Sequence, residues 1–142
     1  MYLLDTNVIS ELRKARKTHP NVRKWAERLP SADLYISVIS VLELEIGILL
    51  IHRRDKERGH NKDAAILRAW MDSHVLPTFS GRILPIDTAV AQRCVTLHVP
   101  NPRSDRDALI AATALVHGLT VATRNVADFE RTGAAVVDPW GS

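Results

Sequence analysis

This sequence predicts an α/β fold of three layers (α/β/α) with a short, mainly parallel sheet, and three observations carry the prediction. Strand-like and helix-like segments alternate from one end of the 142 residues to the other. The strand-like segments are unbroken apolar runs rather than alternating ones, the pattern of strands covered on both faces. No repeat, low-complexity stretch or linker interrupts the alternation, so residues 1–142 read as a single domain, long enough to bury a core without disulfides.

Each element can be justified in order. Residues 2–4, "YLL", form a first strand that stops at Asp5, and a helix runs from about Asn7 to Leu12. Pro20 opens a second helix, whose Val22, Trp25, Ala26 and Leu29 keep the helical period. "LYIS" (34–37) favours a strand, and a long apolar helix follows to about Ile51. The charged stretch 52–62 reads as a helix–helix turn before "AAILRAWMDSHVL", where Ala65, Leu67, Trp70, Met71 and Val75 mark another helix. "RILPI" is a short strand, "TAVAQRCVTLH" a helix and "NPRS" a turn. "DALIAATALVHG" is a helix rich in small residues that ends at Gly118. "LTVAT" and "AAVVD" supply the last two strands.

Composition narrows the function classes. Hydrophobic residues make up 46% and charged residues 25%, ordinary for a soluble globular protein. A single cysteine, Cys94, excludes an intrachain disulfide and any multi-cysteine zinc site, which suits a reducing, cytoplasmic setting. The six histidines show no paired metal-ligand spacing. No secretion signal is visible, and the most apolar segment, "SVISVLELEIGILLI", carries Glu43 and Glu45 and is too short to span a bilayer, so no membrane association is expected. The net charge is +3, with basic clusters at 13–17, at 52–62 and around Arg103 and Arg106. Such clusters either meet phosphate-bearing partners or are solvated helix ends that complement the macrodipole.

The chemistry lies in acids that the topology brings together. In a parallel sheet, strand C-termini and the N-termini of the following helices share one edge, where sites are built. Asp5 ends the first strand, Glu43 lies in the first turns of the helix after "LYIS", and Asp107 opens "DALIAATALVHG". Thr123, Asn125 and Asp128 follow "LTVAT" and fall on the same edge. Each has a structural alternative. Asp5-Thr6-Asn7 can start a helix, Glu43 can face solvent, and Asp107 can complete a capping box with Ser104. Asp105 is an alternative ligand or simply a dipole partner, and Asn125 and Asp128 can be turn residues. The small residues Ser40 and Gly47 flank Glu43 on its helix face and leave space around it. Taken together, the acids are costly, because like charges about 4 Å apart repel by ~4 kcal/mol at an effective dielectric of 20. A hard divalent cation, Mg²⁺ or Mn²⁺, is the natural compensation for oxygen-only ligands, and it would serve phosphodiester hydrolysis. No glycine-rich phosphate loop occurs.

Three stretches carry a family resemblance: "LLDTNVIS" at the N-terminus, "ELEIG" at 43–47 and "DALIAATALVHGLTVATRN" at 107–125. They resemble the PIN-domain ribonucleases, and most of all the VapC-type toxins of toxin–antitoxin pairs in their FitB-like branch. The likeness spans nearly the whole chain, down to the closing "DPW". It implies a PIN-like fold and an endoribonuclease toxin dependent on Mg²⁺ or Mn²⁺, acting on RNA and neutralised by a cognate antitoxin. It also implies a homodimer, with an antitoxin segment in an apolar groove to which the helix around Glu45 contributes. Asp5, Glu43 and Asp107 match the family's three acids as catalytic residues and metal ligands. Some members carry Asp where this chain has Asn125, so the fourth position falls to Asn125 or Asp128. Thr6 and Thr123 would orient bound waters, and Arg13, Lys14, Arg103 and Arg106 would meet the RNA backbone.

Two other classes remain to be separated from this reading. A phosphoacceptor domain of receiver type would need an acid pair after the first strand, a central acceptor Asp and a lysine near the last strand. "LLDTN" offers one acid, and "AAVVDP" has no lysine. A catalytically inactive PIN-fold binding module would share the fold and is favoured only by Asn125.

Overall fold

The computed structural model describes residues 1–99 and 104–141. Arg103 and most of the predicted "NPRS" turn therefore lie outside the described residues. The element order is β1 (Tyr2–Leu4), α1 (Thr6–Leu12), α2 (Pro20–Glu27), β2 (Leu34–Ser37), α3 (Val38–Glu57), α4 (Lys62–Trp70), a π-turn (Met71–Val75) and α5 (Leu76–Thr78). It continues with β3 (Ile83–Leu84), α6 (Thr88–His98), α7 (Asp105–His117), β4 (Thr120–Ala122), α8 (Val126–Glu130) and β5 (Val136–Val137).

The strands form a five-stranded sheet among the described residues, in the order β3-β2-β1-β4-β5. Every pairing is parallel, so the mainly parallel expectation is met in full. The chain builds outward from β1 through β2 to β3, then returns to the other side for β4 and β5. The order therefore reverses between β1 and β4, the place where open α/β sheets form their crevice.

Alternation along each strand sorts the side chains into two cores. Leu3 and Val121 face α6, α7 and α8, meeting Val90, Cys94, Ile110, Ala111 and Phe129. Leu4, Ile36 and Ala122 face the other way, against Val8 and Ile9 of α1, Leu44 and Ile48 of α3, and Met71 and Val75. These two covered faces are the three-layer α/β/α arrangement. Leu3 and Leu4 are fully buried, which contributes roughly 1.5–3 kcal/mol each. On α7, Ala108, Ala111, Ala112 and Ala114 are also completely buried, and small side chains there allow close packing. Gly118 ends that helix at φ 66°, a conformation without steric cost only for glycine.

The structure corrects one boundary. The stretch 52–62 is not all turn, because α3 continues to Glu57. "HRRDKE" contains no glycine or proline, and its Arg, Lys and Glu are good helix formers. The reversal falls instead at 58–61, where Gly59 takes φ 78°. Asp55 ties the joint together. Its side chain is fully buried and accepts a hydrogen bond from the Ala64 amide at 2.8 Å, capping α4 from the preceding helix. That bond, with Arg54 at 3.4 Å and His60 at 3.9 Å, holds the carboxyl below the usual carboxylate range although burial opposes it.

A carboxyl lowered on folding stabilises the protein above its unfolded pKa of about 3.9, and the contribution is lost as pH falls through the folded value. Asp55→Asn is therefore expected to lower the melting temperature by several degrees at pH 7. The gap from the parent should close below about pH 4, as a thermal scan against pH will show.

Candidate active site at the sheet edge

The site starts from the register of β1 with β4. The amide of Asp5 donates to the Ala122 carbonyl at 2.9 Å, carrying the ladder one residue past the strand. This sets Asp5 beside Thr123 at the crevice. Thr123 donates its hydroxyl to Asp5 Oδ2 at 2.8 Å, and the Thr6 amide donates to Oδ1 at 2.8 Å. Asp5 is thus also the N-cap of α1, so the turn-forming alternative and the site reading describe one residue. It is 5% exposed. Burial raises its carboxyl above the usual range; the bonds from Thr123 and Thr6 oppose this, and the charges of Glu43 and Asp128 add to it.

Glu43 arrives from α3, the helix after β2. The Thr6 hydroxyl donates to its Oε1 at 2.8 Å and lies 3.0 Å from the Ser40 hydroxyl. Arg106 approaches the other carboxylate oxygen at 3.8 Å. A Cβ built on Gly47 would meet nothing within 4 Å, so the space expected on that side of Glu43 is open.

Asp107 sits in the first turn of α7. Ser104 occupies the N-cap position but makes no side-chain capping bond, so the capping-box alternative is not formed. The Asp107 carboxyl is raised by burial first, then by the charges of Asp5, Asp128 and Glu43. Asp128, exposed in the first turn of α8, lines a hollow beside Asp107 with Ser104 and Arg131. Asn125 is the N-cap residue of α8 and donates its amide to the Thr123 hydroxyl at 2.9 Å.

Asp5, Glu43, Asp107 and Asn125 share one open cavity of about 510 Å³, which Thr6, Arg13 and Lys14 also line. Asp128 acts on it through charge from the neighbouring hollow. Lys14 pairs with Glu11 at 3.1 Å, and Arg13 lies over the Trp70 ring at 5.9 Å. Asp105 turns elsewhere, 3.6 Å from His98. Glu45 faces away from the site and pairs with Arg68 over a hollow between α3 and α4.

Five described lining residues are not among the sequence candidates: Asn7, Ser10, Glu11, Arg124 and Trp140. Asn7 bridges Asp5 and Thr123, at 3.4 Å from each. Arg124 and Trp140 line the cavity, with the guanidinium 5.4 Å from the ring centroid. Arg124 stands between two residues that were singled out, and that adjacency was the available signal. Nothing in the spacing placed Trp140.

The donor set suits a hard divalent ion in its chemistry, being carboxylate and amide oxygens only. Among the described residues, no three acidic, histidine or cysteine side chains stand close enough to enclose a metal by themselves. Mg²⁺ does not need such an enclosure, since it takes one or two carboxylates and keeps several waters. The fit is therefore to a water-rich ion on an open acidic floor.

Comparison with known proteins agrees with this architecture. The chain is 38% identical over 147 residues to toxin FitB of Neisseria gonorrhoeae, covering 99% of both proteins. It is 35% identical over 145 residues to VapC ribonuclease Y4jK of Sinorhizobium fredii, covering 99% of this chain and 98% of that one. Among solved structures it superposes on a chain of FitAcB from Neisseria gonorrhoeae with a TM-score of 0.87 at 36% identity, covering 100% of both chains. It also matches a chain of a toxin–antitoxin complex from Klebsiella pneumoniae with a TM-score of 0.67 at 29% identity, covering 98% of each. The PIN domain model matches residues 2–135, from the start of β1 to the residue before β5. With the acidic crevice and the whole parallel sheet but its last strand inside that match, the chain belongs to the PIN domain family.

Proposed function

We propose that this protein is a toxin that cuts RNA as a metal-dependent endoribonuclease and is neutralised by a cognate antitoxin. The observation that carries the reading is the meeting of Asp5, Glu43 and Asp107, from three separate elements, in one cavity. Among the described residues no histidine or cysteine lines that cavity, so Ser10 there has no imidazole to activate it and the acids are the chemically able groups. Family membership and the relatives' names, a VapC ribonuclease and a toxin, support the same activity.

Asp5 and Asp107 would hold Mg²⁺ or Mn²⁺, with Glu43 as a further ligand or as the base that orients the attacking water. The chemistry such an ion supplies when bound is polarisation of the phosphoryl oxygen and a lowered pKa for its water. The chain's own residues prepare the rest. Thr123 and the Thr6 amide fix both oxygens of Asp5, which sets where its remaining lone pairs point. The Thr6 hydroxyl holds Glu43, so a proton accepted there would be taken at a fixed position. Asn125 or Asp128 would add a fourth oxygen donor. Arg13, Lys14 and Arg106 would meet RNA phosphates, the first two at the cavity's rim. Unpaired or looped RNA suits so open a rim, since a duplex hides its bases.

The antitoxin would cover the apolar surface of α3 around Glu45, where Leu42, Leu49 and Leu50 are exposed. The Klebsiella match is a toxin–antitoxin complex, which supports such a partner. A homodimer belongs to the same proposal. No helix among the described residues is long and apolar enough to cross a membrane. An inactive binding module is the weaker reading, because the three acids are all present and Asn125 alone favours it.

Two outcomes are expected. Purified protein given a mixed RNA pool with Mg²⁺ or Mn²⁺ should cut it, and EDTA or Asp5→Ala should lower the rate by more than ~100-fold, a loss larger than removing a metal's outer partner brings. Gel analysis of the products reads this directly. Asp107→Asn should raise the melting temperature by a few degrees in EDTA at pH 7. A carboxyl raised on folding weakens the fold when ionised, so the gain should shrink as pH falls toward the ordinary carboxylate range.

A further inference from the structure

The cavity that holds the acids has one aromatic wall. Trp140 lines it beside Arg124 and Asn125; the tryptophan is partly buried and the arginine exposed. The tryptophan backbone is held by two hydrogen bonds. Its amide donates to Asp138 Oδ1 at 2.9 Å, and its carbonyl accepts from Asn21 Nδ2 at 2.8 Å. The Arg124 guanidinium lies over the ring at 5.4 Å from the centroid. The Arg124 amide in turn donates to Asn7 Oδ1 at 3.4 Å, and Asn7 is bonded to Asp5. The pair is therefore anchored to the network that holds the first acid.

The other cations nearby are engaged. Lys14 is paired with Glu11, Arg106 with Glu43, and Arg13 covers Trp70. Arg124 has no carboxylate partner among the described residues; its contact is the indole face. A flat cation on an aromatic ring, at the edge of a site for phosphodiester chemistry, matches what an unpaired base and its phosphate need: a π-surface and a charge.

Building on the nuclease reading, we propose that Arg124 and Trp140 form a stacking platform that holds one unpaired nucleobase of the RNA next to the bond that is cut. The platform selects single-stranded RNA, because a base inside a duplex is already stacked on its neighbours. It contributes to binding and register, while the acids do the chemistry.

The test uses the full chain and a short single-stranded RNA carrying a fluorescent purine analogue, in EDTA so that nothing is cut. Binding should quench the analogue, and an abasic strand of the same length should bind about 10–100-fold more weakly. Arg124→Gln, at an exposed position, should weaken binding and raise KM with little change in kcat when Mn²⁺ is supplied. Trp140→Leu should do the same more strongly, and Trp140→Phe should recover most of the loss. Equal binding of the abasic strand, or unchanged KM in Arg124→Gln and in a folded Trp140→Leu, would overturn the platform. The two readings separate cleanly. Cutting without any base dependence keeps the nuclease and removes the platform, and base-dependent quenching without cutting does the reverse.

Discussion

The structure depends on the parallel pairing of β1 with β4, carried past the end of β1 by the Asp5 amide on the Ala122 carbonyl. That register brings Asp5 and Thr123, 118 residues apart in sequence, to 2.8 Å across the crevice. It also starts α1 at Thr6, whose hydroxyl then reaches Glu43 on α3. A slip of one residue would turn Leu3 and Leu4 onto the wrong faces and take Asp5 away from the crevice. Core and site thus rest on one alignment, and the two fully buried leucines help to secure it.

The site itself works against the fold. Burial and neighbouring negative charge raise Asp5 and Asp107, so both are costly to ionise. At Asp5 the Thr123 hydroxyl and the Thr6 amide offset part of this. The remainder is a standing demand for positive charge, and a hard divalent ion meets it with the least rearrangement. Asp55 makes the opposite case. It is as buried as Asp5, yet its hydrogen bond from Ala64 and its basic neighbours keep it easily ionised, and its role is to join two helices. Burial of an acid alone does not mark function; an acid that its surroundings fail to satisfy does.

The sequence made the sheet and the three acids legible because both follow from element order. Apolar runs located the strands, and a parallel sheet then put Asp5, Glu43 and Asp107 on one edge. Other features followed local energetics that the pattern does not reveal. Arg, Lys and Glu in 52–57 extend α3, since charge alone does not stop a helix that lacks a breaker. Ser104 heads α7 without capping it, because its side chain makes no bond to the helix amides. The five-residue α8 is too short for any period to show. The Arg124–Trp140 pair joins residues on two separate loops, a contact set by tertiary closure alone.

The most direct test of the account is a calorimetric titration of Mn²⁺ into the protein, run in two buffers of different ionisation enthalpy just above the ordinary carboxylate range. If Asp5 and Asp107 hold protons that the ion must displace, binding will release them, and Asp5→Asn will weaken the affinity by about tenfold or more. Binding that releases no protons and is equally tight in Asp5→Asn would contradict the account.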